Sequence, residues 1–206
     1  MERANPTEAV ASTLANGPWR CMPRPVLVDA ELAVSAVCEA HIEDIRRWRN
    51  AQLDVLRQAT RIEPDQQRAY YAQQIWPEKA SACPRNILLI IREHGRAIGY
   101  GGLVHIDWAY QRAEVSFLLD PAVGSDAERH AALFVRFMRL MQTLAFGDLG
   151  LHRLTSETYA FRIAHIAILE RCGFVREGVL RDHVLVDGAR CDAVLHGCLA
   201  RELDVL

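Results

Sequence analysis

Three strand residues of this 206-residue chain carry groups able to take up a proton. His105 and Asp107 fall two apart in the run Arg96 to Asp107, which puts them on one face of a strand. Glu114 shares a face with Ser116 in the run Arg112 to Leu119. An imidazole or carboxylate held on a strand in this way is a candidate general base. Gly99-Tyr100-Gly101-Gly102 is glycine-rich but opens no helix, so it is not a dinucleotide fingerprint. It reads as a strand whose backbone comes close to something, either a neighbouring helix or a substrate amine. Ser125-x-x-Glu128 ahead of an apolar run spells a capping box.

Other chemistries find no support. The six cysteines form no C-x-x-C, and the histidines show no metal-ligand spacing, so no metal is expected. G-x-S-x-G, G-x-x-x-x-G-K-[ST] and H-E-x-x-H are absent. The formal net charge is -2, so neither nucleic acid nor a membrane surface is an expected partner. Met1 to Arg20 hold no apolar run of signal-peptide length, and a reduced, cytoplasmic protein is expected.

The elements that must position these groups follow from periodicity. Leu32, Val34, Ala36 and Cys38 alternate as a strand. A helix is expected from Ile42 and its spacing runs on to Val55 and Leu56. A second opens at Glu63-Pro64-Asp65 and is ended by Pro77. Asn86 to Arg92, Arg96 to Asp107 and Arg112 to Leu119 read as an antiparallel meander. A loop from Gly124 to Glu128 leads to a helix reaching about Phe146. A strand, a helix closing at Gly173, and a hairpin turned at Asp187-Gly188 complete the order. The fold class is α/β, an α+β sandwich with a mixed, mostly antiparallel sheet flanked by helices. Residues 1–25 read as a flexible extension, with Trp19 able to pin part of it, and 26–206 as one domain.

This order, with four local phrases, resembles the GNAT superfamily of acetyl-CoA-dependent N-acetyltransferases. The phrases are Trp48-Arg49-Asn50, Ile98 to Leu103, Glu114 to Pro121, and Leu169 to Gly178 with Leu180-Arg181-Asp182-His183 and Asp187-Gly188. The last looks like the branch of ribosomal-protein N-terminal and nucleotide-amino-sugar acetyltransferases. The resemblance implies acetyl-CoA as cosubstrate. It implies that the backbone of Phe117, Leu118 and Leu119 lines the pantetheine arm. It implies that Gly124, Ser125, Asp126, Ala127, Glu128 and Arg129 face the pyrophosphate, with Arg162 within reach of CoA phosphates. The amine must lose a proton, which makes Glu114, then His105, then Asp107 the base candidates. Relatives place a tyrosine acid where this chain has Leu169, which leaves Tyr159, His183 or bulk water as the substitute acid.

The expected reaction is acetyl transfer to a primary amine of a small molecule, a nucleotide-linked amino sugar being one such amine. A ribosomal client is strongly basic, yet 24 basic residues here face 26 acidic ones, which tilts the reading toward a small molecule. An N-terminal protein acetyltransferase, a transferase using another acyl donor and a non-catalytic binding module stay open. The expected state is a monomer or homodimer.

Overall fold

The computed structural model describes residues 13–58 and 60–203. Its order is β1 (Val26–Asp29), β2 (Leu32–Ala36), α1 (Ile42–Asn50), α2 (Pro64–Tyr70), α3 (Trp76–Lys79), β3 (Ile87–Glu93), β4 (Arg96–Asp107) and β5 (Arg112–Leu119). Then come α4 (Pro121–Gly124), α5 (Ala127–Gln142), β6 (Arg153–Tyr159), α6 (Ile163–Arg171), β7 (Val175–Val186), β8 (Ala189–Leu199) and α7 (Ala200–Leu203). Eight strands form one sheet in the order β1-β2-β3-β4-β5-β6-β8-β7, mixed and mostly antiparallel as expected.

β3 owes its central place to five consecutive buried residues, Ile87 to Ile91. The two-residue turn into β4 uses His94 and Gly95, both at positive φ, which suits the twist of a tight hairpin. Asp187 and Gly188 turn β7 into β8 in the same conformation. β5 and β6 are parallel and need a crossover, which α5 supplies.

Successive strand residues show where the layers lie. Tyr100 reaches α1, where its hydroxyl accepts from Arg49 Nη1 at 2.6 Å. A Cβ on the next residue, Gly101, would meet Phe137 of α5 at 2.8 Å. Neighbours on a strand point to opposite faces, so α1 and α5 cover opposite sides of the sheet. Gly101 therefore makes room for a helix, while Gly99 and Gly102 lie against the backbone of the neighbouring strands.

Several expectations need correction. α1 ends at Asn50, and Val55 and Leu56 fall in turns. Asn50 explains the stop: its side-chain amide exchanges hydrogen bonds with both backbone groups of Ile62, at 2.8 and 2.9 Å, closing a loop. Pro77 does not end the second helix. A π-helical segment, Tyr71–Ile75, passes the chain into α3, where Pro77 sits in the first turn and its missing N–H is not needed. β1 lies between the expected extension and the strand expected from Leu32, where no element was expected.

Of that arm, residues 1–12 lie outside the described residues. Residues 13–25 pack on the domain. Trp19 is 1% exposed and donates from Nε1 to the Leu88 carbonyl at 2.9 Å. Lys79, the one lysine of the chain, is also 1% exposed. Its ammonium donates to the Ala15 and Val37 carbonyls at 2.9 and 2.7 Å. Among the described residues no helix is long and apolar enough to cross a membrane.

Candidate active site

β5 and β6 pair over only three positions, ending at Glu114 with Thr155. Beyond that point β5 stays bonded to β4 as far as Leu119, and β6 stays bonded to β8 as far as Tyr159. The strands part, and a cleft passes through the sheet between them. Ser116, Phe117, Ser156, Glu157, Thr158 and Tyr159 form its walls.

Strand alternation assigns the two faces of this cleft. Phe117 points toward α5, with its ring centroid 5.0 Å from those of Phe134 and Phe137. Arg162, His165 and Leu169 of the α6 region close the same side. Glu114 points the other way, toward the loop after α1, where Arg57 bonds it. Glu157 also faces that loop, and Tyr159 shares its parity.

The α5 side has the makings of a donor channel. The Leu119 carbonyl, turned away from β4, accepts from Gln52 Nε2 at 2.9 Å. Alternation turns the Phe117 N–H and carbonyl toward the opening too, where no β6 strand meets them. Leu118 and Leu119 are buried in the core, and alternation turns the backbone groups of Leu118 to β4, so of these two only the backbone of Leu119 faces the opening. From the cleft a groove of about 420 Å³ runs past Gly124, Ser125, Ala127, His130 and Arg162.

The loop's donors are largely engaged within the loop. Gly124 and Ser125 direct their N–H groups to Asp120 and Pro121. The capping residue of α5 is Asp126, not Ser125: its Oδ1 accepts from Glu128 N and Arg129 N at 3.0 and 3.1 Å. Ser125 Oγ instead donates to the Ala122 carbonyl. Glu128 turns to a neighbouring groove beside Ala131. Arg129 pairs with Glu93 and is drawn away from the channel. Arg162 is the cation that lines both cleft and groove, and it has no ion pair among the described residues. Burial lowers its pKa from the usual guanidinium value, so an anion brought beside it is favoured.

His165 fits the same apolar side. Burial, with Arg162 nearby, pushes its pKa down to about 3, so the imidazole is neutral. Its Nδ1 is buried without a hydrogen-bond partner. Leu169 is fully buried and offers no proton. Tyr159 lines the cleft close by, and burial raises its pKa, so the phenol keeps its proton. His183 stands on β7, outside the cleft lining, with Nε2 3.4 Å from Glu157 Oε1.

The base candidates separate. Glu114 lines the cleft. His105 does not: a bulge between Val104 and Asp107 gives it a φ of 52° and turns it out to solvent. The bulge also breaks the period of two, so His105 and Asp107 no longer share a face as expected. Asp107 accepts from Tyr110 N at 3.1 Å and closes a turn. Glu157 and Arg57 were missed. Both became visible only when the strand opening brought them to Glu114.

On the α1 side lies a second pocket, of about 450 Å³, lined by Arg49, Gln66, Tyr70, Tyr71, Asn86, Tyr100 and neighbours. Val104 and Ser116 belong to both pockets, so they meet at the sheet opening. Arg49 is the single charged side chain among the lining residues. It donates to Gln58 Oε1 at 2.7 Å and to Tyr100, and to no carboxylate.

Residues 34–195 match the family described as "Acetyltransferase (GNAT) domain". The chain belongs to the GNAT acetyltransferase family. The two pockets of this chain meet at the opening in the sheet. No curated protein matches the sequence significantly. Among solved structures, spermidine N-acetyltransferase from Vibrio cholerae in complex with CoA and spermine is similar at 18% identity and a TM-score of 0.73, over 84% of this chain and 98% of that one. Mutant forms of the spermidine/spermine N-acetyltransferase of the same organism are similar at 16% identity and a TM-score of 0.70, over 86% and 99%. These likenesses concern the fold. The family match makes the chain an acetyltransferase by family.

Proposed function

We propose that this chain transfers acetyl from acetyl-CoA to the primary amine of a small molecule, and that the amine belongs to a nucleotide-linked amino sugar. One observation carries the reading. Two pockets on opposite faces of the sheet meet at Val104 and Ser116, beside Glu114. The thioester enters along Phe117 and the groove at Arg162, which meets its phosphates. The amine enters from the pocket of Arg49.

The residues supply the parts of direct attack. Glu114 takes a proton from the amine. The Phe117 N–H, turned to the opening, stabilises the charge that develops on the thioester oxygen. Tyr159, neutral through burial, returns a proton to the departing sulfur. The six free thiols suit a reducing compartment, the cytoplasm.

The acceptor pocket supports an anionic acceptor over a polyamine. A polycation needs carboxylates along its length, and the pocket wall holds Arg49 and no acid. Arg49 suits a phosphate, and the rings of Tyr70, Tyr71 and Tyr100 suit sugar and base faces.

Thiol release from acetyl-CoA is measured with a nucleotide-linked amino sugar, spermidine and a basic N-terminal peptide as acceptors. The amino sugar is expected to turn over fastest. Faster turnover of spermidine or the peptide contradicts the substrate class. No release with any of them, together with tight CoA binding, favours a binding module. Release only with a longer acyl-CoA changes the donor.

A further inference from the structure

Glu114 and Glu157 come from different strands and converge on one guanidinium. Arg57 Nη2 bonds Glu114, and Nη1 donates to Glu157 Oε2 at 3.4 Å. Two carboxylates brought together at the edge of the core need a cation between them. Arg57 supplies it from a loop, with its side chain 46% exposed. An ion pair on so exposed a side chain is weak and readily exchanged. The seat is also incompletely filled. Glu157 Oε1 is buried and has no hydrogen-bond partner, since His183 Nε2 at 3.4 Å is out of alignment. A compact cation with three N–H donors fits that vacant acceptor better than the edge of a guanidinium does.

We propose that Glu114 and Glu157 together form the seat of the acceptor's ammonium, and that the Arg57 guanidinium fills this seat until the acceptor arrives. The inference rests on the reading of the cleft as the centre of acetyl transfer. Its location fits: Glu114 is the last β5 residue paired to β6, and Glu157 lies two residues past its partner Thr155. A primary amine arrives as R–NH3+. Displacing Arg57, it gives one proton to a carboxylate and becomes R–NH2. Its lone pair forms the N–C bond, and the C–S bond breaks with its electron pair on sulfur. Tyr159 gives its proton to that sulfur and takes the second N–H proton in its place, and the carboxylate's proton leaves to solvent past His183. One proton is released overall.

The test uses the full chain, with and without CoA, and ethylammonium chloride as the probe cation. Arg57→Ala is expected to bind ethylammonium about tenfold more tightly than wild type, with its nitrogen between the two carboxylates in a crystal structure. Adding Glu157→Gln to Arg57→Ala is expected to undo that gain, and Arg57→Lys, which keeps a tethered cation, to stay near wild type. Equal or weaker binding by Arg57→Ala, or a nitrogen seated elsewhere, overturns the proposal. Failure of CoA to bind is a separate outcome: it sinks the acetyl-transfer reading and leaves the ammonium measurement to decide the seat.

Discussion

Glu114 on β5 and Thr155 on β6 are the last partners these two parallel strands share. Beyond them β5 follows β4 and β6 follows β8, so the sheet opens along a line that begins at a carboxylate. The opening exposes the unpaired edge of β5 to one face and Glu114 to the other.

Arg162 is half-buried, has no ion pair among the described residues and lines the groove assigned to CoA. Arg162→Gln should raise KM for acetyl-CoA by about tenfold and leave KM for the amine unchanged. Steady-state kinetics with each substrate varied in turn checks this. An equal effect on both constants removes Arg162 from the donor channel.

Glu114→Gln should lower turnover about a hundredfold or more at neutral pH, with acetyl-CoA binding intact. A rate near that of the wild type takes Glu114 off the list of bases.

Tyr159 stands where a proton is needed and Leu169 has none to give. Tyr159→Phe should lower kcat by roughly tenfold to a hundredfold with little change in either KM. If kcat is unaffected, the sulfur takes its proton from the amine or from water.

His165 makes the fold sensitive to acid. Its pKa falls from 6.5 to about 3 in the folded chain, chiefly because burial disfavours the imidazolium. Between those values the unfolded chain binds a proton that the native chain refuses. Stability is therefore full above about pH 6.5 and falls as pH drops toward 3, at up to about 1.4 kcal/mol per pH unit. Denaturant unfolding across this range, repeated on His165→Leu, checks it: the variant's stability should fall less steeply. His130 and His41, also lowered mainly by burial, act in the same direction.

Lys79 ties residues 13–25 to the domain. Lys79→Met leaves the Ala15 and Val37 carbonyls without this donor and should cost about 1–3 kcal/mol. Hydrogen exchange should show residues 13–25 losing protection first. Uniform loss across the chain contradicts the clamp.

Local patterns carried the sheet well. Branched residues marked β3, and Glu93-His94-Gly95 and Asp187-Gly188 marked their turns, because a turn is set by the few residues that make it. β1 was hidden, since four residues directly after Pro23 and Pro25 are too few to show a period before β2 pairs with them. Period two failed at His105 because one extra residue in a bulge inverts every face beyond it. Ser125 spells a cap in the sequence, but the backbone puts Asp126 at the cap position. Arg129 looked free for phosphate, but Glu93 is 36 residues away in sequence and beside it in space. The pairing of Arg57 with Glu114 and Glu157 spans 57 and 100 residues, and no spacing rule reaches that far.

The central claim is that the opening between β5 and β6 is an acetyl-CoA site. Calorimetric titration of acetyl-CoA into the wild-type protein and into Arg162→Gln tests it most directly. The account predicts one site per chain in the wild type, weakened about tenfold in the variant. Absence of binding to the wild type, or identical binding by both proteins, contradicts it.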